Sequence, residues 1–465
     1  MARESEKIPT SRVRRTATVA SLAAGEAVKQ FGTRAANVTR GEEASEEAMA
    51  RRQLETAKQI VAALGTMKGA AMKLGQVMSF LDVGLVPEQH REEFQRELAK
   101  LRDAAPTVSF KQMRKVIEDD LEEPIDEAFA SFDEEPIAAA SIGQVYRATL
   151  HDGREVAVKV QYPGVASAVR ADLQNLDMIM RLLKRMTPGL DVKAIAQEIK
   201  ERIVEELDYE LEAQNQRSLA RIFAGHPFIV VPDVVTSLSR ERVLVGEFVR
   251  GVGFEELKER SQAERDRLGE IVFRFFLGCL YRHRQFSGDP HPGNFLLQDD
   301  GRVAFLDFGL FKRLDTKPVE LELAAQRAVV ERDAPALHRL LAESGFLPDP
   351  ARVDPEHLFA FIDAAIWWYT TDETVQLAPE IATQVMLESS DPRSTHFREM
   401  RHQDMRPEHL FGRRMEMLTL AVLSQLHASA NWHRIAREWM YGDEPVTELG
   451  TQEAEFYGRS GVGAL

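Results

Sequence analysis

The sequence predicts an α+β protein with two lobes, a small β-rich lobe and a larger α-helical lobe, preceded by a helical N-terminal extension. Apolar and polar residues alternate through SIGQVYRATLHDGREVAVKVQYPG at 141–164, which predicts a β-hairpin that turns at 151–153. Apolar residues recur every three or four positions over about 52–120 and again from 254 onward, which predicts helices on both sides. This change of period sets the order of extension, β-rich lobe and helical lobe.

Composition excludes several classes of protein. The 465 residues are 44% hydrophobic and 29% charged, as in a globular protein large enough for two or three domains. A net charge of −15 argues against a nucleic-acid binder, which needs a basic face. The one cysteine, Cys279, excludes an internal disulfide and a thiolate zinc cluster, and no apolar run reaches the roughly 18 residues of a membrane span. We therefore expect a cytoplasmic protein.

Changes in charge and in the period of the apolar residues indicate four segments. They are a basic arm at 1–50, a helical extension at 51–124, a β-rich lobe at 125–252 and a helical lobe at 253–465. The first 40 residues carry eight Lys or Arg and three Glu. The arm is therefore either an amphipathic helix that contacts the anionic inner face of a membrane as a peripheral anchor, or a solvated arm. The residues alone leave both interpretations open.

The extension contains a helix with two neighbouring stripes. Beside an apolar stripe, Gly69, Lys73, Gln76 and Phe80 recur at steps of four, three and four residues. Lys73 and Gln76 therefore project from the same side of the helix. Taken alone, the pattern is typical of a packing helix with one solvated lysine.

Two segments of the β-rich lobe have the pattern of a phosphate-binding loop and a phosphate-binding lysine. AAASIGQV at 138–145 overlays on G-x-G-x-x-G-x-V, with alanines in place of two glycines and Gly143 kept. VAVK at 156–159 ends on Lys159, which strand alternation directs away from the aliphatic side chains. The candidate nucleotide-binding residues here are Ala138, Ala139, Ala140, Ser141, Gly143, Val145 and Lys159.

A long acidic helix is predicted over about 190–222. Glu206 lies 47 residues after Lys159 and is a candidate partner for it. A solvated acidic face explains the same pattern, however, because other acids crowd the helix: Glu201, Glu205, Asp208, Glu210 and Glu212. The residues alone do not choose among them.

Two acidic loops carry the strongest signal. GDPHPGNF places Asp289 and Asn294 five residues apart, as in D-x-x-x-x-N, and FLDFGL places Asp307 of a DFG triplet 13 residues later. Asp289 is a candidate catalytic base for an attacking hydroxyl or water, and Asn294 and Asp307 are candidate Mg²⁺ ligands. Together with the earlier segments, the order and spacing predict a protein-kinase-like fold.

With these motifs in place, the chain resembles the UbiB/AarF/ADCK family of atypical, protein-kinase-like proteins. The resemblance covers roughly residues 7–315 and is carried by KLGQ at 73–76, PIAAASIGQVYRA, VAVKVQYPG, the ExD pair Glu206 and Asp208, DPHPGN and LDFG. It implies a kinase-like fold that binds ATP or ADP with Mg²⁺. It also implies a link to ubiquinone or other isoprenoid-lipid metabolism, as an ATPase or small-molecule kinase acting on a lipid or isoprenoid quinone precursor at a membrane.

The resemblance further implies roles for individual residues. The KxGQ helix would fold over the active site as a gate, so that Lys73 and Gln76 contact the nucleotide and its metal. Lys159 would pair with Glu206. The adenine hinge would be the main chain around Glu247 and Val249.

The chain departs from protein kinases in two places. Ser287 and Gly288 stand where those enzymes have His-Arg, and no A-P-E follows DFG, which leaves no room for a long activation segment. Both departures argue against the phosphorylation of proteins. The sequence therefore predicts an Mg²⁺-dependent atypical kinase or ATPase, with a nucleotide-binding regulatory pseudokinase and a small-molecule phosphotransferase as the alternatives.

Overall fold

The computed structural model describes residues 108–171, 203–347, 349–390 and 407–460, with a few isolated positions between 172 and 202. The predicted basic arm, and Lys73 and Gln76 of the extension, lie outside the described residues, so their roles stay predictions. Within the described residues, no helix combines the length and apolar composition that crossing a bilayer requires.

The regular elements of the described residues follow in chain order. The helices are α1 (Phe110–Leu121), α2 (Ile125–Ala128), α3 (Tyr209–Ile222), α4 (Phe254–Leu257), α5 (Gln262–His283), α6 (Thr316–Val330), α7 (Ala334–Glu343), α8 (Pro355–Thr370), α9 (Pro379–Ser390), α10 (Pro407–Gln425), α11 (Trp432–Met440) and α12 (Glu448–Ser460). The strands are β1 (Ser131–Phe132), β2 (Ala138–Ala140), β3 (Gly143–Thr149), β4 (Glu155–Gln161), β5 (Ile229–Val230), β6 (Val243–Glu247), β7 (Gln285–Ser287), β8 (Phe295–Leu297), β9 (Val303–Phe305), β10 (Phe311–Arg313), β11 (Val375–Gln376) and β12 (Ser429–Ala430).

The chain forms two units, one of residues 1–208 and 240–244 and one of residues 209–239 and 245–465. The first unit contains most of a five-stranded sheet in the order β1-β3-β4-β6, with β2 paired on β3. The predicted hairpin is present as the antiparallel β3–β4 pair. Val156, Val158 and Val160 of β4 are buried, so the alternation puts Lys159 on the opposite face of the strand, as predicted.

Gly143 at the start of β3 has a packing reason to be glycine. It pairs with Gln161 of β4. A Cβ added to Gly143 would lie 2.1 Å from the carbonyl oxygen of Val160, an overlap with backbone that no side-chain movement relieves. The close approach of β3 and β4 therefore requires this residue.

The second unit is mostly helical and is built around α5. A capping box starts this helix, since Ser261 and Glu264 each accept from the other's backbone N–H. Fourteen residues of α5 are buried, and Phe275 stacks on Phe305 of β9. The short sheets of this unit are β5-β9-β8, β7-β10 and β11-β12.

A buried charged network links α5 to the last two helices. The Arg274 side chain is fully buried and contacts the carboxylates of Glu270, Glu438 and Glu453 at 2.7, 2.7 and 2.9 Å. Arg282, about two turns further along α5, contacts Glu438 at 3.0 Å. Burial would raise the pKa of Glu453, but Arg282, the neighbouring His226 and Arg274 lower it to about 2.

The acidic helix predicted over about 190–222 is interrupted. Residues 203–205 are helical, residues 206–208 are not, and α3 begins at Tyr209. Glu206 and Asp208 therefore lie in the connection between two helices rather than on a helix face. The run EELDYELEA gives no helix-breaking residue that would have indicated this.

We predict that Gly143→Ala lowers the free energy of unfolding by about 2–3 kcal/mol, because the added methyl group overlaps the backbone of β4. Gly278→Ala is the matched control, since an added Cβ there meets no atom within 4 Å and lies inside a helix. Thermal unfolding followed by circular dichroism measures both. Equal midpoints for the two variants would contradict the packing role of Gly143.

We also predict that stability falls as the pH drops from about 6.5 to 4. Burial, and then the neighbouring Arg282, lower the pKa of His283 to about 4 from 6.5, so the unfolded state binds the proton first. The loss amounts to about 3 kcal/mol at most. His283→Gln keeps a neutral polar partner for Tyr457 and should flatten this dependence, whereas His151→Gln, an exposed site, should not. An unchanged pH slope in His283→Gln would refute the assignment.

Candidate functional site

The loop that carries Asp289 is fixed at its start by a two-stranded ladder. α5 ends at His283, and β7 then pairs antiparallel with β10, which follows the DFG triplet. The Gly288 N–H donates to the carbonyl oxygen of Leu310 at 2.7 Å, so the ladder continues to the residue before Asp289. The strands on either side of the two acidic loops are thus neighbours.

The loop from Asp289 to Asn294 is closed by its own hydrogen bonds. The Asp289 carbonyl accepts from the N–H of His291 at 2.7 Å and from Asn294 Nδ2 at 3.2 Å. His291 Nδ1 accepts from the Gly293 N–H at 3.0 Å. Because the side-chain nitrogen Nδ2 of Asn294 donates to Asp289, the side-chain oxygen Oδ1 points away from that carbonyl. Oδ1 is the Asn294 atom that could bind a cation.

The DFG triplet is joined directly to this loop. The Leu306 N–H donates to the Asn294 carbonyl at 2.8 Å, and Ser287 Oγ donates to the Asp307 carbonyl at 3.1 Å. The Gly309 N–H donates to Asp307 Oδ1 at 3.0 Å, while the Phe308 side chain is fully buried. The fold therefore brings the predicted residues Asp289, Asn294 and Asp307 into one place within the second unit.

A further acid lies beside DFG. A Cβ added to Gly309 would lie 3.4 Å from Glu212 Oε2 and 3.5 Å from Asp307 Oδ1, so the two carboxylates flank this glycine. Glu212 is only 3% exposed, and its neighbour on α3, Asn215, donates from Nδ2 to the Phe308 carbonyl at 3.3 Å.

The solvated-face interpretation of the acidic helix is wrong for Glu212. Glu212 lies on the face where Tyr209, Ala213, Gln216 and Leu219 are buried at steps of four, three and three residues. The signal in the sequence was its place next to the apolar pair Tyr209 and Ala213.

A second residue that the sequence did not indicate is Arg414 of α10. Its Nη2 lies 3.6 Å from Asp289 Oδ1, and the two side chains are 10% and 13% exposed. The pair joins residues 125 positions apart. No sequence pattern around Arg414 distinguishes it from other arginines in amphipathic helices, so the sequence alone does not predict this contact.

In the first unit, the ExD segment is tied to the end of β4. Gln161, which is buried and lies two residues after Lys159, donates from Nε2 to the carbonyl oxygen of Leu207 at 2.8 Å. Leu207 stands between Glu206 and Asp208. This contact supports the predicted pairing of Lys159 with Glu206, which itself stays a prediction.

The alanine-rich segment forms a tight β-hairpin. Ala138, Ala139 and Ala140 pair with Val145, Gln144 and Gly143, which leaves Ser141 and Ile142 as the two-residue turn. Ala138 and Ala139 are exposed. The predicted nucleotide-binding loop is therefore short and hydrogen-bonded on one side, with its alanine methyl groups accessible.

The predicted hinge lies at the end of β6. Glu247 ends the strand, donates its backbone N–H to the Asp233 carbonyl oxygen at 2.9 Å and accepts from the Asp233 N–H through Oε2 at 3.0 Å. Val249 follows two residues later, outside any strand. Main-chain groups beyond the end of this strand are the ones that the predicted hinge would offer to an adenine ring.

The donor set fits Mg²⁺ carried by a nucleotide. Mg²⁺ in kinase-type sites takes one or two carboxylates, and the remaining ligands are phosphate oxygens and water. Asp307 and the turned amide oxygen of Asn294 supply this kind of set. In the described parts of the chain, no three His, Cys, Asp or Glu side chains are grouped to hold an ion by themselves.

The sequence profile of the ABC1 atypical kinase-like domain matches residues 100–341. The chain belongs to this family. It is 33% identical over 329 residues to the rat protein "Atypical kinase COQ8B, mitochondrial", covering 70% of this chain and 62% of that one. It is 31% identical over 354 residues to mouse "AarF domain-containing protein kinase 1", covering 73% of this chain and 65% of that one. The chain thus spans somewhat under two thirds of these curated relatives.

A solved structure confirms the fold class. The Mycobacterium tuberculosis protein Rv3197, solved in complex with erythromycin, superposes with a TM-score of 0.60 at 31% identity, covering 85% of this chain and 98% of that one. The predictions of an α+β, kinase-like fold and of membership in the UbiB/AarF/ADCK group are therefore confirmed. The rat relative is named mitochondrial, and the compartment of this ABC1-family chain stays a prediction.

Proposed function

We propose that this ABC1-family protein is an Mg²⁺-dependent atypical kinase or ATPase that binds ATP or ADP and supports isoprenoid quinone or other lipid metabolism. The supporting observation is the hydrogen bonding that joins the DPHPGN loop and the residues before it to the LDFG segment, which brings together the proposed base and the two proposed Mg²⁺ ligands. The names of the COQ8 relatives support the kinase class. The N-terminal arm is the proposed contact with an anionic membrane surface.

In this proposal each residue has one task. Asp307 and Asn294 hold Mg²⁺, which when bound offsets the negative charge of the β- and γ-phosphates. Asp289 accepts the proton of the attacking hydroxyl or water. Arg414 places a guanidinium beside Asp289, where it stabilises the negative charge that develops on the transferred group.

The acceptor in this proposal is small or is water. β10 and α6 follow DFG closely, with α6 starting at Thr316, nine residues after Asp307. A protein kinase uses a long segment at this point to dock a peptide. Its absence between these described elements favours a lipid-like or other small acceptor, or hydrolysis.

The Arg414–Asp289 pair also favours one alternative, a nucleotide-binding regulator without phosphoryl transfer. A guanidinium 3.6 Å from Asp289 Oδ1 occupies the side from which a substrate proton would reach that oxygen. In the regulator, nucleotide binding would persist and turnover would be absent.

ATP hydrolysis by the purified full chain separates the two functions. We expect Mg²⁺-dependent hydrolysis that rises when anionic liposomes and an isoprenoid phenol are added. Nucleotide binding with no turnover under any of these conditions would favour the regulator. The absence of any Mg²⁺-dependent thermal shift with ATP or ADP would overturn both.

We predict that Asp307→Ala weakens the affinity for Mg²⁺–ATP at least tenfold, or about 1.4 kcal/mol, because it removes a metal ligand. Asp289→Asn should leave that affinity within about threefold and slow turnover about 10²–10⁴-fold, because a base acts only as the bond changes. Calorimetry and a phosphate-release assay measure the two effects. Asp299→Ala, an exposed acid of the intervening hairpin, is the control. Unchanged affinity in Asp307→Ala would contradict the metal assignment.

We predict that Arg414→Gln slows turnover about 10–10³-fold with little change in nucleotide affinity, since its charge is needed in the transition state. Arg414→Lys should restore part of the rate. Arg459→Gln, at a side chain that is 80% exposed, controls for loss of a positive charge. Faster turnover in Arg414→Gln would instead identify Arg414 as a lock on Asp289.

A further inference from the structure

A small cavity lies in the second unit among helices α6, α7, α8 and α10. Its volume is about 40 Å³, which admits about three or four water-sized groups. Most of its wall is apolar and includes Leu337, Leu340, Phe346, Ile362 and Ile366. None of the residues so far assigned to nucleotide, metal or proton transfer lines it.

The charged and amide groups of the wall are Glu322, Gln326 and Arg413, with Glu416 beside them, and the wall also contains Ser344 and Tyr369. Arg413 Nη1 lies 3.2 Å from Glu416 Oε2. Glu416 Oε1 also accepts from the hydroxyls of Tyr281 at 3.0 Å and Tyr369 at 3.2 Å. Glu416 therefore has both its counter-ion and its hydrogen bonds.

Glu322 and Gln326 have fewer hydrogen-bond and ion-pair partners than Glu416. The Glu322 carboxyl lies near the Tyr281 hydroxyl, whose proton is donated to Glu416, and within the described ranges Glu322 forms no ion pair. Gln326 donates from Nε2 to the same hydroxyl, and its Oε1 is buried without a hydrogen-bond partner in the described structure. Gln326 is only 4% exposed. Two acceptors at the cavity wall thus lack donors.

The charges around the cavity do not balance. Glu322 and Glu416 carry two negative charges when ionised, and Arg413 carries one positive charge. Burial, and then the nearby Glu416, raise the pKa of Glu322 to about 7, while Arg413 and the nearby Tyr281 hydroxyl act in the opposite direction. Near neutral pH a proton or an external cation therefore completes the cluster.

The chemistry selects an organic cation over a metal ion. A Ca²⁺ or Mg²⁺ ion needs about six oxygen ligands, whereas this wall offers two acceptors and a large apolar surface. A protonated amine donates several N–H bonds and carries an alkyl group that suits the leucine and isoleucine wall.

We propose that this cavity binds a small alkylammonium ion, with its N–H groups donating to the Glu322 carboxylate and Gln326 Oε1 and its alkyl group packed on the apolar wall. The same helix, α10, presents Arg413 to this cavity and Arg414 to Asp289. The cavity is therefore separate from the candidate active site, although Arg413 and Arg414 are adjacent in sequence. Binding in the cavity does not require phosphoryl transfer.

The test uses the full-length protein with isotope-labelled isoleucine methyl groups and titrates isopropylammonium chloride at pH 8. The methyl resonances of Ile362 and Ile366 should shift saturably, with a Kd of about 1 mM for so small a ligand. The neutral isostere 2-propanol should bind at least tenfold more weakly, and sodium chloride at equal ionic strength should cause no saturable shift. Lowering the pH from 8 to 6 should weaken the amine about tenfold, because Glu322 becomes protonated.

Two variants decide the assignment. Glu322→Gln should lose at least tenfold in affinity for the amine, whereas Glu320→Gln, an exposed site on the same helix, should bind as the unmodified chain does. If Glu322→Gln does not fold, Gln326→Leu replaces it and should lose about three- to tenfold. Equal binding of amine and 2-propanol, no saturable shift, or full affinity in the variant that folds would each overturn the proposal and leave a cavity that holds water.

Discussion

The constraint on which the candidate site depends is the backbone bonding between its two acidic loops. The β7–β10 ladder joins the strand before Asp289 to the strand after Asp307. Inside that ladder, the Asn294 carbonyl accepts from Leu306 and the Asp307 carbonyl accepts from Ser287. These bonds use backbone groups and one hydroxyl, so they position the two loops without using the side-chain oxygens of Asp289, Asn294 or Asp307. In the proposed function, positions fixed in this way would need little reorganisation to receive a nucleotide and its metal.

The ladder is in turn supported by the helical core of the second unit. β7 begins where the buried helix α5 ends, and Phe275 of α5 stacks on Phe305, two residues before Asp307. Arg274 of the same helix ties α11 and α12 to this core through Glu438 and Glu453. A fully buried cation with three carboxylates tolerates loss of a partner poorly, because the remaining charges stay desolvated. The region beyond residue 341, outside the matched domain, is therefore part of the same core and supplies Arg414 to the site.

The sequence was sufficient to predict the candidate site residues that stand at a fixed spacing in a motif. Asp289, Asn294 and Asp307 were found because a short rigid loop and a strand end constrain their separation, and the structure joins them within one unit. Glu212 and Arg414 were missed because tertiary contact, rather than spacing, brings them to the site. The interruption of the helix at 206–208 was missed because EELDYELEA contains no residue that breaks a helix. The non-helical connection accompanies the hydrogen bond from Gln161 to Leu207, 46 residues away in sequence. Gly143 was predicted for a phosphate loop, and the structure adds a packing reason that the motif alone does not contain.

The position of a manganese ion in crystals of the full chain, grown with a non-hydrolysable ATP analogue, would test the assignment of the metal ligands. Mn²⁺ replaces Mg²⁺ and gives an anomalous signal that locates it without reference to the protein. We predict a peak about 2 Å from oxygens of both Asp307 and Asn294, with nucleotide phosphates completing the coordination. A peak away from these two residues, or a nucleotide bound with neither of them near a metal, would contradict it.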